Sequence, residues 1–295
     1  MALRKPRLNK VQIPLHIVFI VLCVVFVIPL LYIISISLTS DIEIANNGYL
    51  LFPKKISTLA YEYMFKTPKQ LLRSYGISGL VTVAGTAFGL LFTTMLSYTL
   101  ARQDYKYRRV ISFFVFFTML FNGGLVPSYI LITRYLHLKN TIWVLILPYL
   151  INAWFVLLMR SFISTLPLSL VESAKIDGAG EFRTFFSIIL PLAKPALAAV
   201  GLMIAFNYWN DWWLSLLYID VDKLIPLQYL LYRTMSNIMY LTQQLSTSVS
   251  VNIKDIPTES ARMAMCILAA GPMLIVFPFF QKHFVRGITV GAIKG

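Results

Sequence analysis

Glu172, Lys175, Asp177, Glu181 and Arg183 lie close together in the stretch ESAKIDGAGEFRTFFSIILPLAKP (172–195), between two apolar runs. Acids and bases alternate there without a nucleophile beside a base, so the chemistry on offer is recognition and capping rather than covalent catalysis. A second group is Asn207-Tyr208-Trp209-Asn210-Asp211-Trp212-Trp213. Amides and aromatic faces are what sugar rings need, since C–H patches stack and hydroxyls seek donors and acceptors. Asn122 and Asn152 are further polar groups inside apolar segments, where such residues tend to face a cavity or a partner. No GxxxxGK[ST] phosphate loop occurs, so ATP is not expected to bind this chain by that mechanism. His16, His137 and His283 are scattered without metal spacing, and Cys23 and Cys266 sit singly in apolar runs, implying neither a zinc site nor a disulfide framework.

The elements that must position these groups are membrane helices. The chain has 295 residues, 58% hydrophobic and 13% charged, and a mean hydropathy of +0.73. A soluble domain carries roughly a quarter charged residues. Six segments approach the length that a bilayer core requires: Ile13–Leu38, Tyr75–Leu100, Val110–Thr133, Thr141–Phe162, Leu192–Leu217 and Met263–Gln281. The sixth is expected to kink or loosen near Gly271-Pro272 and Pro278. Barrel-like alternation is absent, so helices are the expected way to satisfy the backbone in lipid. The apolar run after the basic residues 1–10 is too long for a signal-peptide core and reads as an anchor that stays. The net charge of +14 reads as topology rather than nucleic-acid binding. With six spans, one side collects 15 Lys and Arg against 4 acids, and the other 11 against 8. That bias places residues 1–12, the tail 284–295 and the stretch 172–191 in the cytoplasm. With no repeat or flexible linker in view, residues 1–295 are expected to form one all-α transmembrane domain. Gly79, Gly85 and Gly89 in the second span read either as a notch for close helix contact or as glycine that membrane helices merely tolerate.

The charged stretch has a physical reading of its own. Pro167 closes the fourth span, and Ser169 with Glu172 fits a capping box. Leu170, Val171, Ala174 and Ile176 give the following helix an apolar side, and Gly178 can take the left-handed conformation that ends it. A second helical piece over Glu181–Ile189 runs into Leu190-Pro191. The product is a short helix–turn–helix whose free side is partly apolar.

Glu172, Ala174, Gly178, Ile188, Leu190 and Pro191 stand at spacings that resemble the loop of binding-protein-dependent ABC importer permeases. Ser173 replaces the family's usual Ala, while Asp177 and Ala179 agree with its carbohydrate branch. The tail PFFQKHFVRGITVGAIKG (278–295) is similar to that of maltose-type, MalG-like permeases. FNGGLVP (121–127), YWN (208–210), PLQ (226–228) and PTESAR (257–262) resemble a narrower LplC-type branch associated with oligosaccharides and polysaccharide fragments. The resemblance implies a type I ABC importer permease fold with a coupling helix between helices 4 and 5. It also implies a multi-pass permease in the bacterial inner (cytoplasmic) membrane, itself non-catalytic, that forms half of a carbohydrate pathway by alternating access. Its partners would be membrane lipid, a second, homologous permease in a heterodimer, two cytoplasmic ATPase subunits and an extracellular solute-binding protein, with no nucleic acid. ATP and Mg would belong to the ATPase, and this chain would hold no cofactor and no metal. Glu172, Ser173, Ala174, Asp177, Gly178 and Ala179 would make the coupling contact. Glu172 reads either as a capping residue alone or as one that also pairs with a basic group on the ATPase, and the resemblance implies both roles at once.

For the substrate pathway the candidates are Asn122, Asn207, Tyr208, Trp209, Asn210 and Asp211. The 207–213 cluster also reads as an interfacial aromatic belt, since it lies about 20–30 Å along its helix. Asn122-Gly123-Gly124 reads as a local break lining the path or as a packing notch. Ile225–Leu241 has helical spacing; the resemblance implies a docking surface for the extracellular solute-binding protein there, and the alternative is a passive surface helix. The rival functions are an ion-gradient-driven secondary transporter, which wants a mid-membrane ionisable site, and a membrane-embedded glycan enzyme, which wants convergent catalytic groups.

Overall fold

The computed structural model describes residues 12–247 and 257–292. Residues 1–11, part of the Ser/Thr/Gln-rich segment 242–252 and the end of the tail lie outside the described residues. All regular structure among the described residues is helical. The α-helices are α1 (Gln12–Ser37), α2 (Asp41–Asn47), α3 (Leu59–Met64), α4 (Pro68–Ala101), α5 (Arg108–Leu120), α6 (Leu125–Ile130) and α7 (Ala153–Ile163). They continue as α8 (Leu168–Ile176), α9 (Glu181–Thr184), α10 (Leu190–Leu192), α11 (Lys194–Trp209), α12 (Trp213–Tyr218), α13 (Leu227–Thr247) and α14 (Glu259–Ala292).

Three helices are long and apolar enough to cross a bilayer: Ile13–Ser37, Pro68–Ala101 and Glu259–Pro278. Three further pairs qualify together but are bent, by 112° between α5 and Leu125–Tyr135, by 51° between Ile142–Tyr149 and α7, and by 84° between Glu181–Leu192 and α11. Among the described residues that makes three helices able to span by length and composition, or up to six spans if each bent pair is one. The continuous helices overrun the hydropathy limits because polar residues such as Lys69, Gln70 and Arg73 extend α4 beyond its apolar section. α14 runs as one helix through Pro272 and Pro278, which membrane helices accommodate through local backbone adjustment.

The interrupted segments depart from the uniform runs expected of them. The third segment breaks where Gly124 adopts φ +88° and its amide donates to Asn122 Oδ1 at 2.9 Å. The fourth opens as two 3-10 turns, and α7 starts only where Asn152 Oδ1 accepts from the Trp154 amide at 2.9 Å. The fifth ends its helix at Trp209 rather than Leu217. Asn210 and Asp211 follow, and Asp211 Oδ1 accepts from the Leu214 amide at 3.5 Å before α12 begins. Short amide and carboxylate side chains thus take backbone groups that the helix would otherwise use.

The chain divides into two compact units, Met1–Pro68 with Arg233–Gly271, and Lys69–Tyr232 with Pro272–Gly295. In the first unit α1 is apolar on every side, and none of its apolar window is buried among the described residues. A helix of that kind is stable only against lipid or another apolar surface. Below it, Ser35 Oγ donates to Leu50 O at 2.7 Å, and Ser37 Oγ meets Tyr61 Oη at 3.0 Å. Asp41 gathers the first turn of α14: it accepts from the Thr258 amide and hydroxyl, the Glu259 amide and the Ser260 amide and hydroxyl. These are the unpaired donors that every helix start must satisfy.

The second unit holds the core. α4 presents Ser78, Val81, Gly85, Gly89, Thr93 and Ser97 as its buried face. Ser78 Oγ accepts from the Leu227 amide at 2.8 Å, and Ser97 Oγ donates to Val156 O at 2.8 Å. A Cβ on Gly85 would stand 2.5–2.7 Å from three ring atoms of Tyr208, and one on Gly89 would stand 3.1 Å from Leu150 O. The glycine notch is therefore used at positions 85 and 89, while Gly79 meets nothing within 4 Å.

Two predictions follow from this packing. Partial burial pushes the Asp41 carboxyl up, but the hydrogen bonds from Ser260 and Thr258 together outweigh it and hold the pKa below 3.8. A lowered native pKa contributes stability above the unfolded value that is lost as pH falls through the folded one. Asp41→Asn is expected to lower stability by about 1–3 kcal/mol at neutral pH. Thermal melts in detergent should show its gap to wild type closing as pH is taken below about 4. Gly85→Ala should cost about 1–3 kcal/mol by overpacking, and Tyr208→Leu in the same chain should recover most of that loss in the same melts.

Candidate functional site

The stretch 168–192 folds as a closed knuckle. The capping box expected of Ser169 and Glu172 does not form. Pro167 is the cap residue, with φ −60° and ψ 123°, so the helix begins at Leu168 and Ser169 is already inside it. A capping serine needs the extended backbone that Pro167 occupies instead. At the other end the expected glycine stop is present in full. Gly178 has φ +76°, its amide donates to Lys175 O at 3.0 Å, and the Ala179 amide donates to Ala174 O at 2.8 Å. This pair of bonds is the Schellman closure, which ties the last helical carbonyls to the turn. The chain then re-enters helix as α9, widens to a π turn over Phe185–Ile189 and continues into α10.

The apolar residues of the knuckle divide between two faces. Ala174 is buried and Val171 packs against the core. Ile176 is 86% exposed and Phe182 is 70% exposed. Glu172, Ser173, Asp177 and Gly178 are also exposed, and Ala179 is half-buried. A Cβ on Gly178 would meet no atom of the described residues within 4 Å. The six coupling candidates thus share one short element, with Ala174 facing inward and the others lying on or beside a free tip bordered by Ile176.

The root of the knuckle is held by charges whose pairing was not apparent in the sequence. Arg102 donates through Nε and Nη2 to the two oxygens of Asp104 and through Nη1 to Glu181 Oε2. Lys175 Nζ lies 2.9 Å from Asp104 Oδ2 and 3.9 Å from Glu181 Oε1. Tyr98 Oη donates to Glu181 Oε2 at 3.1 Å and accepts from Arg102 Nη1 at 3.2 Å. The Arg102 guanidinium, then the Lys175 ammonium, hold the Asp104 carboxyl well below the usual carboxylate range. Asp104 and Glu181 in turn raise the pKa of Arg102 against its partial burial. Beside this network is a cavity of about 370 Å³, walled by Met95, Tyr98, Phe182 and Phe185. The sequence shows Arg102 and Asp104 only as part of a basic loop, because their partners lie more than 70 positions away.

The polar candidates for a pathway are distributed differently. Asn122 is exposed at the break between α5 and α6. Asn207 and Asn210 are exposed near the end of α11 and just beyond it. Tyr208 and Trp209 between them are buried, and Tyr208 Oη donates to Ile146 O at 2.8 Å. Asp211 is half-buried and accepts from Tyr149 Oη at 3.1 Å. Trp212 stacks on Tyr232 at 4.5 Å, with Trp213 edge-on at 5.7 Å.

Residues 85–290 match the family described as "Binding-protein-dependent transport system inner membrane component". The chain is 40% identical over 270 residues to Protein LplC of Bacillus subtilis (strain 168), covering 91% of this chain and 90% of that one. It is 36% identical over 277 residues to the polygalacturonan/rhamnogalacturonan transport system permease protein YtcP of the same organism, covering 94% of each. Among solved structures, it is similar to a chain of a bacterial ABC transporter involved in the import of the acidic polysaccharide alginate. The TM-score there is 0.76 at 28% identity, with 95% of this chain and 100% of that one covered.

The Gly178 turn can be tested directly. Gly178→Ala is expected to destabilise the knuckle by about 1 kcal/mol, because an L side chain resists the left-handed region, and Gly178→Asn by less. Amide hydrogen exchange at residues 174–180 should rise a little in Gly178→Asn and more in Gly178→Ala.

Proposed function

The chain belongs to the family of binding-protein-dependent transport system inner membrane components, and we propose that it is a permease subunit of an ATP-driven ABC importer for carbohydrates. Oligosaccharides or fragments of polysaccharides are the substrate class, a reading supported by the polysaccharide named for YtcP and for the alginate importer. The observation that carries the mechanism is the knuckle. It is a turn closed by two backbone bonds whose tip shows Ile176 beside Gly178, with Phe182 exposed further along the knuckle. Exposed apolar groups on a preorganised element form a surface that calls for a partner.

In this reading the chain is one membrane domain that crosses a bacterial inner membrane six times, with both ends and the knuckle in the cytoplasm and α11 beginning the fifth span. The Lys and Arg bias toward the knuckle's side supports that orientation. A second, homologous permease completes the pathway. Two ATPase subunits hold ATP and Mg, and a solute-binding protein delivers sugar outside. The tip residues Glu172, Ser173, Asp177, Gly178 and Ala179 enter a cleft on the ATPase, and Ala174 anchors the tip from behind. Closure of the ATPase pair pushes the knuckle, and the permease pair exchanges inward and outward openings. Asn122, Asn207, Asn210 and Asp211 supply polar groups along the path, with Tyr208 and Trp209 supporting the second cluster from within the core.

The test is reconstitution of the complex in nanodiscs, with ATP hydrolysis measured against a panel of sugar-loaded binding proteins. Wild type should be stimulated by its cognate sugar, with Glu172→Ala reduced and Gly178→Trp failing to retain the ATPase. Because the space around Gly178 is open among the described residues, the tryptophan acts on docking more than on internal packing. Wild-type coupling in both variants would show that the knuckle is not the docking element.

A further inference from the structure

We propose that Arg102 is a positioning residue that makes the knuckle and α4 a single lever. This inference rests on the importer reading and adds to it the path by which a push on the knuckle enters the membrane. Three links cross from the end of α4 and the loop after it to the knuckle. Arg102 reaches Glu181, Tyr98 also reaches Glu181, and Lys175 returns to Asp104. An apolar contact supports them, with the Tyr98 and Phe185 rings 5.6 Å apart.

Scattered surface ion pairs contribute little to stability or geometry. Arg102 is different in two respects. Its side chain is only 14% exposed, and its planar fork serves Asp104 and Glu181 at once, a geometry that lysine does not reproduce. Asp104 orients the guanidinium from its own loop, and the remaining donor points at the knuckle.

α4 is the element that can transmit the motion. Its buried face meets Val156 O through Ser97, the Tyr208 ring at Gly85 and the Leu227 amide through Ser78. A displacement applied at Glu181 therefore reaches α7, α11 and the start of α13 through close contacts that have little room to absorb it. Without Arg102, the knuckle would still dock on its partner through the tip, but its movement would be taken up at the root.

The test uses the complete complex in nanodiscs, with sugar uptake and ATP hydrolysis measured together. Arg102→Ala should assemble and hydrolyse ATP within about twofold of wild type, while uptake per ATP falls roughly tenfold, the scale of an ordinary coupling between sites. Glu181→Ala, which also removes the Tyr98 link, should show at least the same loss, and the double variant should lose no more than Glu181→Ala alone, because Arg102 acts through Glu181. Arg102→Lys should fall between. A merely structural role would lower assembly and hydrolysis without changing the ratio. If Arg102→Ala does not assemble, Glu181→Gln carries the same measurement at a side chain that is 58% exposed. An unchanged ratio in the assembled variants, or losses that multiply in the double variant, would overturn the proposal. A wild-type complex without ATP-dependent uptake would instead sink the importer reading itself.

Discussion

The guanidinium of Arg102 ties the end of α4 to the knuckle, with Tyr98 and Lys175 adding further links between the same two parts. In a protein with 13% charged residues, a sheltered cation bound to two carboxylates is a strong geometric constraint. Removing either carboxylate leaves the other side under-neutralised, and such networks behave as units rather than as sums of pairs. The knuckle depends on this, since its outer half makes few contacts of its own. Ile176, Asp177 and Gly178 stand in solvent, so its position is set at the root and its shape by the Schellman closure.

α4 is the second fixed point. Small residues along one face let other backbones and rings come close, as at Gly85 with Tyr208 and at Gly89 with Leu150 O. In a bilayer, where apolar side chains gain little by leaving lipid, such close approach is the main source of helix–helix attraction. The broken segments around it obey a different rule. Irregular backbone at membrane depth survives only where its polar groups find partners in protein or water. Asn122 and Asn152 meet that need locally by accepting the amides at 124 and 154.

Much of the fold was legible in the residue order because its causes are local. The apolar runs marked the helices to within a turn at α1, and the proline and glycine of the knuckle marked its ends. Gly85 and Gly89 at helical spacing marked a close contact without saying with what. The expected capping box failed for an equally local reason: Pro167 already holds the extended cap position, and hydroxyl spacing alone does not reveal that. The helix of the fifth segment stops short of its apolar run because Asn210 and Asp211, polar side chains within that run, compete for its backbone bonds.

The sequence by itself determined that this is a helical membrane chain with a charged, glycine-stopped turn between two of its apolar segments, since hydropathy, helix stops and turn conformation depend on residues a few positions apart. Tertiary structure alone decided that Arg102 and Lys175 bridge to Glu181 and Asp104, that Asp41 caps a helix 217 positions away, and that Tyr208 is a buried strut while its neighbour Asn207 faces outward. Those outcomes depend on which distant backbones pack together, and pairing across such separations leaves no periodic trace in the order of residues.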